Sequence, residues 1–329
     1  MEKINLSSQA ETNFLNQIIS QFYDKNQNKT RFIKKEKKKE IFNINIDDIN
    51  SLIQKKLKKF QSNLTLEKLV LFDYDNIKKL CEFIDKNKKL TELTKREKEY
   101  FYTLYARLKK AMFLEDLNID VCPYCNRNFI FNFNKKDSKE ATAQLDHFFD
   151  KSTYPYLSIS LYNLVPSCST CNQRKSKKDS KEIFYPYKES FNQNAKFVYG
   201  GIKTNLDKQN IDFFDEKRIK LDIKHISEET KVENHNEVFN IKNLYENHKD
   251  IVKELLQKRV MYSDSYIDEL FDKYSGILFS SKEELMRLIT CGYISDDDIN
   301  KRPLSKLIKD ISEDLGFRWC FVLKNFMYL

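Results

Sequence analysis

The sequence predicts a mainly α chain that carries one small α+β core stapled by paired cysteines. Three observations predict it. Apolar residues recur at helical spacing on both sides of residues 119–190. Within 119–190 the period shortens to that of strands, and four of the five prolines fall there. The same segment holds two C-x-x-C pairs, four of the seven cysteines in a chain of 329 residues.

Residues 1–118 read as a basic helical region. Ser8 and Glu11 suggest a capping box ahead of Phe14, Leu15, Ile18, Ile19 and Phe22. Asp47 or Asp48 is placed to cap a helix with Ile49, Leu52, Ile53, Leu57 and Phe60 on one face, and Thr94 with Glu97 opens a third before Phe101, Leu104, Tyr105, Leu108 and Met112. The run Lys34–Lys39 suits phosphate or a solvated face. In 119–190, Phe129, Phe131 and Phe133 alternate with Ile130 and Asn132 as a strand, and a polar turn over 134–142 leads to a second strand near Ala143–His147. An irregular stretch follows, and a short helix begins near Cys168 and runs toward Lys178. Residues 191–329 read as loop or strand through 197–224 and then mainly helix, a region available for docking a partner. Leu244 to Val260 suits one long helix; Ser281 and Glu284 open another that Cys291-Gly292 ends. Trp319 and the apolar C-terminal residues fit a core or a partner-binding stripe.

Composition narrows the function. Mean hydropathy is −0.66, no apolar run approaches the roughly 20 residues of a membrane span, and the first residues lack a signal peptide's apolar core. A cytoplasmic protein with reduced cysteines and no membrane partner is expected. No Gly precedes Gly200, so neither G-x-G-x-x-G nor G-x-x-x-x-G-K-[ST] occurs before it, which disfavours a nucleotide-binding enzyme. Net charge is +9, with 25 Lys and Arg against 17 Asp and Glu in residues 1–118. Positive charge ahead of the cysteine segment suits a polyanionic partner.

The two pairs are Cys122-Pro-Tyr-Cys125 and Cys168-Ser-Thr-Cys171. Two intervening residues aim both thiolates of a pair at one point, and two such knuckles make a four-cysteine structural zinc site. The 43 positions from Cys125 to Cys168 require a folded insert between them. Four buried free thiols or a disulfide set are the alternatives. Cys81, Cys291 and Cys320 stand alone and read as small core residues. His225, His235 and His248 have no motif context.

Asp146-His147 and Asn163-Leu164-Val165, followed by Cys168-Ser-Thr-Cys171-Asn172-Gln-Arg174-Lys175, resemble the HNH endonucleases, the ββα-metal nucleases. Asn163 follows His147 by 16 positions and Asn172 follows Asn163 by nine. The wider context, His147-Phe-Phe-Asp150-Lys-Ser with Tyr185-Pro-Tyr187, resembles the HNH proteins of bacterial anti-phage defence, such as those of Septu-type systems, which are commonly encoded beside an ATPase. The resemblance implies His147 as general base and a catalytic Mg²⁺ or Mn²⁺ on Asp146 and Asn172. It also implies an orienting role for Asn163 and phosphate contacts from Lys175 and Arg174. The implied substrate is double-stranded DNA, with RNA such as tRNA as the alternative. A zinc module that binds nucleic acid or protein without catalysis explains the cysteines but not the ordered Asp, His and two Asn. His147 as a buried histidine, Asn172 as a helix cap and Asp146 as an ordinary surface carboxylate are the plainer readings. Adjacent strand residues face opposite sides, so Asp146 and His147 need a bulge or a strand end to serve one site.

Overall fold

The computed structural model describes residues 1, 3–23, 35–37, 40–42, 45–136, 138–175, 182–201 and 216–317, with backbone only for 35–37 and 40–42. The lysine run apart from that backbone, and the expectations for Trp319, Cys320 and residues 321–329, lie outside the described residues.

The architecture is α+β: mostly helices, with small antiparallel sheets. The first region supplies α1 (Ser8–Ile19), the hairpin β1 (Lys35–Lys37) and β2 (Glu40–Phe42), α2 (Ile46–Leu57), α3 (Leu66–Val70), α4 (Tyr74–Lys86), α5 (Lys88–Thr91), α6 (Lys95–Ala106) and α7 (Lys110–Leu117). The Thr94–Glu97 capping box forms as expected, with both reciprocal bonds made, a feature worth about 1 kcal/mol. Two other caps are shifted. Ser7 rather than Ser8 accepts the bond from Ala10 N and starts α1. Asn45 rather than Asp47 or Asp48 caps α2, because its side chain lies three residues before the free Asp48 N–H.

The middle region holds two hairpins, and the sequence pairs the wrong strands. Of the strand expected over Phe129–Phe133 only Asn132 and Phe133 lie in β3 (Asn132–Lys135), which pairs with β4 (Ser138–Ala141), inside the stretch expected as a turn. Strand β5 (Gln144–His147) pairs instead with β6 (Leu164–Ser167), and α8 (Ser169–Lys175) follows directly. The register Gln144↔Ser167 to His147↔Leu164 is unbroken. Polar residues of 138–141 hide β4 because both faces of this hairpin are largely exposed, leaving no apolar alternation to read.

Beyond it come α9 (Phe191–Asn194), the hairpin β7 (Ala195–Gly200) and β8 (Lys220–His225), α10 (Glu229–Phe239), α11 (Ile241–Tyr245), α12 (Lys249–Met261), α13 (Asp264–Tyr274), α14 (Lys282–Thr290) and α15 (Ser305–Asp314). The single helix expected over 244–260 is broken by a 3-10 turn at Glu246–His248, where Arg127 Nε donates to His248 Nε2 at 3.2 Å. Ser281 caps α14 as expected, but Cys291 itself takes the left-handed turn, φ 61°, and is exposed. Gly292 serves a different purpose: a Cβ there would lie 2.7 Å from the Ile308 side chain of α15.

One contiguous apolar core runs from Met1 to Phe317 and takes residues from all three regions. Cys81 belongs to it, as expected. Ile4 N donates to Pro186 O at 2.7 Å, which ties the first residues to the end of the middle segment. Among the described residues no helix is long and apolar enough to cross a membrane.

Candidate metal centre and active site

The four cysteines of the two knuckles are buried, and their sulfurs lie within 4.8 Å of one another. Cys125 and Cys168 stand 3.9 Å apart, close to the separation of about 3.8 Å that Zn–S bonds of about 2.3 Å impose in a tetrahedron. The surroundings suit thiolates. Arg127 N donates to Cys125 Sγ at 3.4 Å, and Asn128 Nδ2 and Cys171 N donate to Cys168 Sγ at 3.4 and 3.5 Å. Burial pushes the Cys122 thiol up, while hydrogen bonds from Cys122 and its neighbours pull Cys168 down. Four soft donors this close, sealed from water, can hold a structural metal such as zinc.

The first knuckle is held from the C-terminal region. His235 Nε2 bonds Tyr124 O at 2.9 Å, and Tyr245 OH donates to Cys125 O at 2.7 Å. Asn126, in a left-handed turn at φ 52°, bonds Ile299 O and accepts from Lys306 N. The second knuckle opens α8, so the cysteine cluster sets where that helix lies against β5.

Helix α8 faces one side of β5. Asn172 Nδ2 donates to Gln144 Oε1 at 2.6 Å, and Lys175 Nζ lies 3.1 Å from Asp146 Oδ2 and donates to His147 O at 2.9 Å. Gln144 and Asp146 share that side by strand alternation. Asp146 also accepts from Tyr124 OH at 2.7 Å. Only 4% of Asp146 is exposed, so it is not a surface carboxylate. Burial pushes its carboxyl above the ordinary range, against the pull of Lys175 and Tyr124. Lys175 departs from the expected phosphate contact: it is 1% exposed and paired with Asp146, because a buried carboxylate needs a cation more than an exposed phosphate site does. Arg174 is half-buried, and its Nε is sealed without a hydrogen-bond partner.

His147 faces the other side. Its ring lies 4.6 Å from that of Tyr105 on α6, and Nε2 stands 3.0 Å from Ser158 O. A carbonyl only accepts, so Nε2 carries the proton and Nδ1 keeps a lone pair. Burial pushes the imidazole down to about 3, so it is neutral near pH 7. The residue is 9% exposed, and Nδ1 is not among the sealed, unpartnered atoms, unlike Nδ1 of His235.

Asn163 shapes the connection that carries Ser158. Its Oδ1 accepts from Phe149 N at 2.7 Å, and its Nδ2 donates to Phe149 O and Leu157 O at 3.1 and 2.9 Å. Tyr156 OH to Thr91 O and Tyr154 OH to Asp85 anchor the same loop on the N-terminal helices.

The structure therefore gathers the four cysteines, lays Asn172 and Lys175 along the Asp146 face, and builds Asn163 into the loop behind His147. No bulge turns Asp146 and His147 to one side; they are the last two residues of β5, and their side chains take partners on opposite sides of it. Sequence reasoning missed Tyr124, Gln144, Tyr105 and Ser158. Tyr124 alone had a signal, its place between two paired cysteines. His225, Glu229 and Glu233 lie close enough to share an ion but are all exposed.

No family model matches this chain, and no solved structure matches it. The chain is 33% identical over 69 residues to the Septu protein PtuB of Bacillus thuringiensis. That stretch covers 21% of this chain and 24% of the relative, so the similarity spans about a quarter of the relative's length.

Proposed function

We propose that the chain is a metal-dependent endonuclease of the HNH type that hydrolyses DNA phosphodiester bonds, in anti-phage defence and beside an ATPase partner. The observation that carries the reading is His147: neutral at working pH and fixed in one tautomer by Ser158 O, which leaves the lone pair on Nδ1. The partial similarity to a Septu protein supports the defence role and the partnership.

Hydrolysis of a phosphodiester needs water stripped of a proton, negative charge neutralised and a leaving oxygen stabilised. His147 Nδ1 accepts the proton of the attacking water. The burial that keeps the ring neutral also makes it a weak base, and a phosphate entering beside it strengthens it by favouring the imidazolium. Asp146 and Asn172 offer hard oxygens, which suit Mg²⁺ or Mn²⁺ rather than zinc. The Lys175 ammonium, held by Asp146 and His147 O, marks the same spot as hospitable to positive charge. When bound there, a divalent cation supplies neutralisation of the phosphate. The charged guanidinium of half-buried Arg174 is the proposed contact for a phosphate oxygen. Cys168 and Cys171 open α8, so zinc held by the four cysteines would fix that helix and with it Asn172.

The test is nicking of supercoiled plasmid with and without Mg²⁺, beside total RNA as a competing substrate. His147→Ala is expected to lower cleavage by about 10²–10⁴-fold with zinc content unchanged. Cleavage that survives this substitution removes the mechanism. Copurification of the native protein checks the partner.

A further inference from the structure

Tyr124 sits between the paired cysteines and is fully buried. Each part of it is fixed separately. Its backbone is flanked by the knuckle cysteines, and its carbonyl accepts from His235 Nε2 at 2.9 Å. Its ring stacks on Phe239 of α10, with centroids 4.5 Å apart and planes 21° apart. Its hydroxyl donates to Asp146 Oδ2 at 2.7 Å. The other partner of Asp146 is Lys175, 1% exposed and tied as well to His147 O at 2.9 Å. Of the two, the phenol makes the shorter contact, 2.7 Å against 3.1 Å.

We infer that Tyr124 is a positioning residue whose hydroxyl aims the Asp146 carboxylate at a divalent cation, so that the cysteine knuckle and α10 together govern how tightly that cation is held. The inference rests on the reading of Asp146 as a cation ligand. It extends the site to residues that the motif does not contain. Hydrogen-bond partners of metal ligands commonly contribute 10–100-fold in affinity, because a free carboxylate must give up rotation when it coordinates. A phenol that had merely found an acceptor for its own buried hydroxyl would leave cation affinity unmoved.

The experiment uses the full-length, zinc-loaded chain. Mn²⁺ binding is followed by loss of the free-ion electron paramagnetic resonance signal, and plasmid cleavage is followed against Mg²⁺ concentration. Tyr124→Phe removes one oxygen and keeps the stacked ring. It is expected to keep wild-type zinc content, to bind Mn²⁺ about tenfold more weakly and to need about tenfold more Mg²⁺, with cleavage restored as Mg²⁺ is raised. Mn²⁺ affinity within twofold of wild type overturns the inference, as does a cleavage defect that added Mg²⁺ does not relieve. Asp146→Asn separates the two levels: if it binds Mn²⁺ like wild type, the ligand reading of Asp146 fails, whereas weakened binding in Asp146→Asn but not in Tyr124→Phe sinks the role of Tyr124 alone. Should Tyr124→Phe lose zinc, Phe239→Leu unseats the ring but keeps the hydroxyl, and unchanged Mn²⁺ affinity in that chain likewise overturns the proposal.

Discussion

His147 and His235 share one chemical problem, an imidazole taken out of water, and resolve it differently. Each gives its Nε2 proton to a backbone carbonyl, Ser158 O and Tyr124 O, and burial pushes each down to about 3. His235 is packed among Phe184, Phe191 and Phe239 with Nδ1 sealed, whereas His147 lies at the end of β5 with its ring against Tyr105. The linkage has a definite sign. An unfolded chain protonates these rings near 6.5 and the folded chain only near 3, so between those values the unfolded state binds more protons. Acidification through that window removes about 1.4 kcal/mol of stability per pH unit for each ring, and above 6.5 neither contributes a slope. Urea unfolding of His235→Phe from about pH 6 to 4 is expected to show a slope shallower than wild type by about that amount; equal slopes would contradict the assignment. For cleavage the consequence falls on kcat/KM, which reports the free protein. It should show no step near pH 6.5 attributable to His147.

At the scale of the element, the connection between β5 and β6 behaves as a preformed support for His147. Asn163 closes it with three buried hydrogen bonds, and the aromatic anchors of Tyr154 and Tyr156 fix its far side. Asn163→Ala leaves one N–H and two carbonyls without that partner, at about 1–3 kcal/mol for each group that stays unsatisfied. A stability loss of at least about 3 kcal/mol in urea unfolding is expected, with cleavage reduced as Ser158 O loses its fixed place. A loss below 1 kcal/mol would mean that the loop holds itself. Much of this element was legible in the chain. The doubled C-x-x-C spacing announced four sulfurs at one point, and Asp146, His147, Asn163 and Asn172 came in an order that selected them. The strand pairing was not legible. Phe129, Phe131 and Phe133 alternate like a half-buried strand, yet they stay 42–49% exposed and only Phe133 falls within the β3–β4 hairpin. Nor did any pattern identify Ser158, because what it supplies is a carbonyl that every residue has. Lys175 illustrates the opposite failure: its position beside the motif suggested phosphate, but the strength of a nearby buried carboxylate decided its partner.

Across the whole molecule, the segment that the sequence sets apart as 119–190 does not close on itself. Its first knuckle depends on residues far along the chain: His235 and Tyr245 hold the Tyr124 and Cys125 carbonyls, and Asn126 is pinned by Ile299 O, Leu304 N and Lys306 N. The far end of that brace is itself costly to disturb. Lys306 and Asp310 form an ion pair with both side chains 1% exposed, and Asp310 Oδ2 accepts from Phe197 N on β7. Removing one member of such a pair leaves a buried charge without its partner, at about 3–5 kcal/mol. Asp310→Ala is therefore expected to destabilise the protein by that order and to loosen the knuckle although it lies in a different helix, read as faster zinc transfer to a chromophoric chelator. The same logic predicts that residues 119–190 expressed alone bind zinc through their four cysteines yet lack the resolved amide spectrum of a packed domain. Without α10 and α15 the knuckle carbonyls and Asn126 face water, and the apolar residues that meet the flanking helices have nothing to cover them. A well-dispersed, cooperatively unfolding fragment would show instead that the cysteine cluster and the β5–β6–α8 unit suffice by themselves.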